Sequence, residues 1–198
     1  MRVVLASGSA SRRAMLENAG VPFEVAPVHV DEDAAKASLT AAGTSGRDTA
    51  DALAELKALK ASARDPAALV LGSDSIVELA DGTLLDKPTS REEAGEHLRR
   101  MSGQRHRIHS AAVIAEGTRP VWREVDTAQL FVRPLSAAFI ESYLDAEWPE
   151  IAGCVGCFRI EARGAQLFAR LDGSQFTILG LPLLPVLDYL RVRGVLAS

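Results

Sequence analysis

Apolar positions come in short bursts along this chain, and the spacing inside each burst predicts a different element. The opening "MRVVL" is β-branched and apolar, which predicts a strand over Val3–Leu5. A Ser/Gly turn then leads into a helix from about Ser9 to Asn18, ended by Gly20. "VPFEVAPVHV" has strand content interrupted by prolines, and "DEDAAKASL" runs into the loop "AAGTSG". Leu53, Leu56, Leu59 and Lys60 trace the spacing of a helix from about Arg47 to Ala63. "AALVLGSDSIVEL" reads as a strand with a polar break at its centre. The Asp-Gly turn "ADGT" joins it as a hairpin to "LLDKP".

"TSREEAGEHLRRMSG" is an amphipathic helix that Thr89 or Ser90 can cap, with acids in its first turn, bases in its last and Gly103 beyond. Two strands follow, "HRIHSAAVIAE" and "VDTAQLFVRPL", around a loop containing Trp122, and then a serine-capped helix, "SAAFIESYLDAE". "FRIEARGAQLFARLDG" reads as a hairpin. In "FTILGLPLLPVLDYLRVRG" a strand meets "GLP" and a helix beginning at or just after Pro182. Strands alternating with helices, with hairpins mixed in, predict an α/β fold on a mixed sheet.

Composition narrows the class. A chain of 198 residues with 47% hydrophobic and 24% charged residues suits one globular domain or two small lobes sharing a cleft, and disfavours disorder or a coiled coil. The formal net charge of −4 disfavours a nucleic-acid partner. No apolar run reaches the roughly 20 residues that span a bilayer, and "SASRR" does not suit a signal peptide, so no membrane partner and a cytoplasmic location are expected. The two cysteines, Cys154 and Cys157 in "CVGC", suit two small buried thiols better than a redox pair or half a zinc site. His106 and His109, three apart on a strand, point to opposite faces and so do not complete such a site.

The candidate chemistry is anionic. "LASGSASRR" places a Ser/Gly turn before a helix N-terminus, where free N–H groups and the dipole favour phosphate. Ser7, Ser9 and Ser11 add hydroxyls, and Arg12 and Arg13 add guanidinium forks. An ordinary helix cap with two solvated arginines would read the same. Asp74 interrupts an apolar strand, where a carboxylate is costly unless paired or metal-bound. Lys87, fixed before a proline, suits a phosphate contact, whereas Lys57 alone is a common helix lysine. Asp31, Glu32 and Asp33 could help hold Mg²⁺ or simply favour a helix start. Glu161, among strand residues, faces solvent or reads a base edge.

Taken in order, "LASGSASRRAML", "VDE", "LAELKA", "LGSDSIV", "LLDKP", "REEAGEHLRRMSGQRH", "IEARGAQLF" and "ILGLPLLPVL" resemble the Maf family of nucleoside triphosphate pyrophosphatases, from about residue 3 to 190. The resemblance implies one Maf-like domain over residues 1–198. Its expected fold is a mixed, twisted central sheet flanked by helices, of the Maf/ITPase-like kind, with a cleft between two lobes, as a homodimer. The implied reaction cleaves a nucleoside triphosphate between the α and β phosphates with Mg²⁺ or Mn²⁺, in a house-cleaning role. Asp74 would be the general base, Glu32 would help place the metal, and Ser9, Arg12, Arg13, Lys57 and Lys87 would hold phosphates. Ser11, Ser75 and Glu161 occupy positions that the family associates with substrate choice. Glu161 matches a branch acting on 7-methyl-GTP, and neither serine matches that branch or the one acting on dTTP and UTP. The lean is to a purine or modified purine, with the base left open. Ala10 and Ala162 depart from the family's usual proline and glycine. The rival reading is a non-catalytic, nucleotide-binding regulator of septum formation.

Overall fold

Val3–Leu5 (β1) and the start of Leu69–Glu78 (β3) pair in parallel, and apolar residues alternate to both sides of that pair. A computed structural model describes residues 1–197. On one side Val3, Leu5, Leu69 and Leu71 pack with Leu16 of helix Ala10–Asn18 (α1) and with Val186 and Leu190 of the helix Leu183–Val192. On the other, Val4, Ala6, Ala68 and Val70 pack against Ala61. A strand buried on both faces reads as a continuous apolar run, which is why "ALVL" shows no alternation.

The order continues with Glu24–Val25 (β2), helices Glu32–Ala41 (α2) and Gly46–Ser62 (α3), then β3 and Leu84–Leu85 (β4). Helix Arg91–Met101 (α4) precedes the long strands Arg105–Glu116 (β5) and Arg119–Val132 (β6). Ala137–Glu147 (α5), Phe168–Asp172 (β7), Gln175–Ile178 (α6) and Leu183–Val192 (α7) follow. The strands form one mixed sheet in the order β2-β1-β3-β5-β6-β7, with β4 antiparallel on β3. The chain groups into two compact units. The first holds Met1–Ser75, His109–Asp126 and the segment from Gln175 onward; the second holds Ile76–Ile108 and Thr127–Ser174. Among the described residues no helix is long and apolar enough to cross a membrane.

In the second unit Ser90 caps α4 by accepting from the Glu93 amide at 3.1 Å, and the Glu93 carboxylate accepts from the Thr89 amide and hydroxyl. This reciprocal capping explains why "TSREE" starts a helix so clearly. Arg91 on α4 ties to Glu141 and Asp145 on α5. Gly95 of α4 leaves just enough room for Leu144 of α5, 3.3 Å from where its Cβ would stand.

Several expectations change. "VPFEVAPVHV" gives only the two-residue β2, because its prolines remove ladder donors. "DEDAAKASL" is the helix α2, capped by Asp31, whose carboxylate accepts from the Ala34 amide. Trp122 lies within β6 rather than in a loop, stacked on Tyr189. "FRIEARGAQLFARLDG" is not a hairpin. Its first half folds back as a turn and a short 3₁₀ segment, Arg163–Leu167, so tightly that a Cβ on Gly164 would sit 2.4 Å from the Arg159 carbonyl. Glu161 therefore stands in that turn and not in a strand. "FTIL" enters the short helix α6 instead of a strand, with Thr177 fully buried and bonded outward to Asp126.

Candidate active site

The helix α3 packs by a face that shares Leu53 with the leucine spacing but leaves Leu56 out. Its buried positions include Ala50, Leu53, Ala54, Lys57, Ala58 and Ala61, while Leu56 is exposed. Small alanines let the helix lie against β3, and Gly72 completes the fit. A Cβ there would stand 2.3 Å from the Ala54 carbonyl oxygen and 2.5 Å from the Ala58 amide. Such contact drives Lys57, 7% exposed, toward the strand beside it.

There Lys57 Nζ lies 2.6 Å from Asp74 Oδ1 and 2.9 Å from Glu32 Oε1. Asp74 is 5% exposed, and its second oxygen, Oδ2, is buried with no hydrogen-bond partner. A buried acceptor left without a partner costs about 1–3 kcal/mol, and more when charged. A fold that carries that cost at one oxygen offers it to an incoming donor or cation. Of the three acids in "VDEDAAK", Asp31 caps α2 and Asp33 is exposed, while Glu32 reaches Lys57.

Arg12 is fixed by neutral partners. Its Nε donates to the Gly180 carbonyl at 2.8 Å, one terminal nitrogen donates to Ser75 Oγ at 2.9 Å and the other to Ser7 Oγ at 3.3 Å. Burial pushes its pKa down, opposed by the fields of Asp74 and Glu32. An arginine stays protonated through such a shift, so the guanidinium is a charge held in place by dipoles. Ser9 caps α1 by accepting from the Arg12 amide, which leaves the helix N-terminus beside these hydroxyls. Gly180 is the hub: its carbonyl also accepts from Ser73 Oγ at 3.1 Å and, more distantly, from Ser75 Oγ. Its φ of +105° and the 3.2 Å from its Cβ direction to Ser75 Oγ leave no room for a side chain.

The first unit thus brings Ser7, Ser9, Arg12, Glu32, Lys57, Asp74 and Ser75 into one connected group. Ser11, the second residue of α1, is half-buried. Arg13 turns to the exposed side of α1 and pairs with Glu17 at 3.1 Å. Lys87, exposed after β4, and Glu161, exposed in its turn, belong to the second unit. Both act there on the Cys154 thiol, whose pKa is raised first by burial and then by Glu161, with Arg159 and Lys87 opposing. Cys157 is buried and pushed up to about 12, again chiefly by burial. Both thiols are free. Raised pKa values are the reverse of what a reactive dithiol needs.

The donor set fits a divalent cation of the Mg²⁺ class. Glu32 and Asp74 flank one cationic nitrogen, Asp74 has an orphaned buried oxygen, and Mg²⁺ is commonly held by one or two carboxylates plus substrate phosphates. Among the described residues no group of three or more His, Cys, Asp or Glu side chains is gathered to hold a metal unaided. Sequence reasoning missed Ser73, Ser110, Thr177 and the carbonyl of Gly180. Nothing in a sequence marks a backbone oxygen as a hub, although "GLP" signals a special backbone there.

The model of the Maf family, described as Maf-like protein, matches residues 2–193. A protein from Jannaschia sp., named nucleoside triphosphate pyrophosphatase 1, is 52% identical over 196 residues, 99% of this chain and 98% of that one. One from Sphingopyxis alaskensis, named nucleoside triphosphate pyrophosphatase, is 50% identical over 195 residues, 98% of each. Among solved structures, a HAM1 protein from Coxiella burnetii has a TM-score of 0.46 at 15% identity, covering 67% of this chain and 73% of that one.

Proposed function

This chain belongs to the Maf-like protein family, and on that premise we propose that it hydrolyses nucleoside triphosphates between the α and β phosphates, releasing the nucleoside monophosphate and pyrophosphate. The names of relatives at about half identity support the reaction class. The observation that carries it in this chain is Asp74: a buried carboxylate with one oxygen on Lys57 and the other without a partner.

In this reading the triphosphate meets the α1 N-terminus, the hydroxyls of Ser7 and Ser9, and the guanidinium of Arg12. Lys57 Nζ fixes Asp74 Oδ1 at 2.6 Å, and the free Asp74 Oδ2 accepts a proton from the water that attacks phosphorus. The bond to the bridging oxygen breaks, and the departing pyrophosphate carries its negative charge toward Arg12 and Lys57. Mg²⁺ or Mn²⁺, held by Asp74 and Glu32, would supply charge neutralisation on the phosphates. A carboxylate at Glu161 suits the N1–H and N2–H₂ edge of guanine, or a cationic methylated ring. A purine or modified purine such as 7-methyl-GTP is therefore the substrate class we favour, in a house-cleaning role. Ser11 and Ser75 stand at the other two positions of substrate choice.

The test is pyrophosphate release, with either metal, across the common ribo- and deoxyribonucleoside triphosphates together with 7-methyl-GTP, 5-methyl-UTP and pseudo-UTP. Release favouring purines, with Glu161→Gln shifting base preference more than the rate on the best substrate, supports the reading. Preference for pyrimidines would overturn the substrate class. Nucleotide binding without any release would leave a non-catalytic regulator as the better account.

A further inference from the structure

Arg12 owes its orientation to the Gly180 carbonyl, so whatever fixes that carbonyl governs the arginine. Gly180 follows α6, a helix of only four residues, and its amide donates back to the Thr177 carbonyl at 3.0 Å. A helix that short does not hold itself in place. Besides its apolar packing, two side chains from the sheet hold it at Thr177. Ser110 on β5 donates to the Thr177 carbonyl at 2.7 Å, and the Thr177 hydroxyl donates to Asp126 Oδ2 on β6. Ser110 Oγ also lies 3.0 Å from Ser75 Oγ, which accepts from Arg12. Ser110 and Thr177 are fully buried, and Asp126 is partly buried.

We infer that the Thr177–Asp126 bond is a positioning device for phosphate binding: it clamps α6, which sets the Gly180 carbonyl, which aims the Arg12 guanidinium. The inference rests on the proposed role of Arg12 in holding phosphate. Neither Thr177 nor Asp126 touches the substrate. Without the clamp, Thr177 keeps only the Ser110 anchor, and the Gly180 carbonyl, still bonded by Ser73 Oγ, is held less closely at its distance to Arg12 Nε. The guanidinium then samples more rotamers, and a ligand must order it on binding.

The probe is inorganic tripolyphosphate with Mg²⁺, titrated calorimetrically into the whole protein, with melting followed in parallel. Thr177→Val keeps the shape and removes the hydroxyl. It should weaken affinity roughly fivefold, the size of one net hydrogen bond. Thr177→Ser and Asp126→Asn, which preserve donor and acceptor, should bind like the wild type. In an Arg12→Lys background, Thr177→Val should cost no further affinity, because the planar fork it aims is already gone. An equal loss in both backgrounds would overturn the inference, as would a lowered melting temperature with unchanged affinity. Wild-type protein that does not bind tripolyphosphate at all would instead remove the phosphate role of Arg12, and this inference with it.

Discussion

Replacing Gly72 with alanine tests how the site is assembled, because no group of the site is touched. The added Cβ would stand 2.3 Å from the Ala54 carbonyl oxygen, 2.5 Å from the Ala58 amide and 2.9 Å from the Ala58 Cβ. All three belong to the backbone or rigid surface of α3, so no flexible side chain can yield. Ordinary contact near 3.4 Å requires β3 and α3 to part by about 1 Å. Lys57, adjacent to Ala58, then retreats from Asp74, where the nitrogen and oxygen now sit 2.6 Å apart. Overpacking of this kind costs about 1–3 kcal/mol, which for a chain of this size lowers Tm by about 2–12 °C. The functional loss is larger in proportion, since a misplacement of about 1 Å in a catalytic constellation costs about 100-fold. Differential scanning calorimetry and pyrophosphate release on the same preparation read both. A Gly72→Ala variant that melts and turns over like wild type would refute the packing argument. A lowered Tm with an unchanged rate would refute the dependence of turnover on the Lys57–Asp74 contact.

Two further outcomes follow from buried groups outside the site. His106 is 1% exposed beside Phe158 and Phe168, has neither ring nitrogen hydrogen-bonded, and is pushed down to about 4 by burial. Its folded pKa lies below the ordinary 6.5, so the unfolded chain binds the extra proton and stability falls as pH drops from about 6.5 to about 4. By pH 5 the loss is about 2 kcal/mol. Urea melts of His106→Leu at pH 5 and 7.5 should differ by that much less than wild type, and an unchanged difference would sink the assignment. The thiols of Cys154 and Cys157, both with raised pKa, should react slowly with iodoacetamide at pH 7.5, and the double serine variant should keep its activity. Rapid labelling of the native protein would contradict the reading of both as inert.

Legibility in the sequence followed how local each cause is. β1, α1, α4, α5 and α7 announce themselves through caps, breakers and periodicity, because Ser9, Ser90, Ser136 and Gly103 act within a few residues. The pair "ADGT" and "LLDKP" gave its hairpin for the same reason. The turn around Glu161 was not legible, since it depends on Gly164 meeting the backbone of Arg159. "FTIL" has strand composition, yet Thr177 is claimed by Asp126 some 51 residues away. At the site, Asp74 stood out because a carboxylate inside "ALVLGSDSIV" conflicts with its surroundings. Lys57 did not, because helical spacing led to Leu56 and Leu59, while the packed face is the alanine one that Gly72 admits. Of the neutral cradle of Arg12 only Ser7 is local; the Gly180 carbonyl and the Ser75 hydroxyl come from distant segments, and that pairing was not legible.

The central claim is that Asp74 performs base catalysis on a triphosphate held largely by other groups. It is tested most directly by comparing wild type with Asp74→Asn, quantifying nucleoside monophosphate, pyrophosphate and orthophosphate from the best substrate alongside tripolyphosphate binding. The account predicts monophosphate and pyrophosphate in equal amounts from wild type, with no orthophosphate. It predicts a folded variant that still binds tripolyphosphate and has lost at least about 100-fold in rate. Orthophosphate as the wild-type product, or a variant with near wild-type turnover, would contradict it.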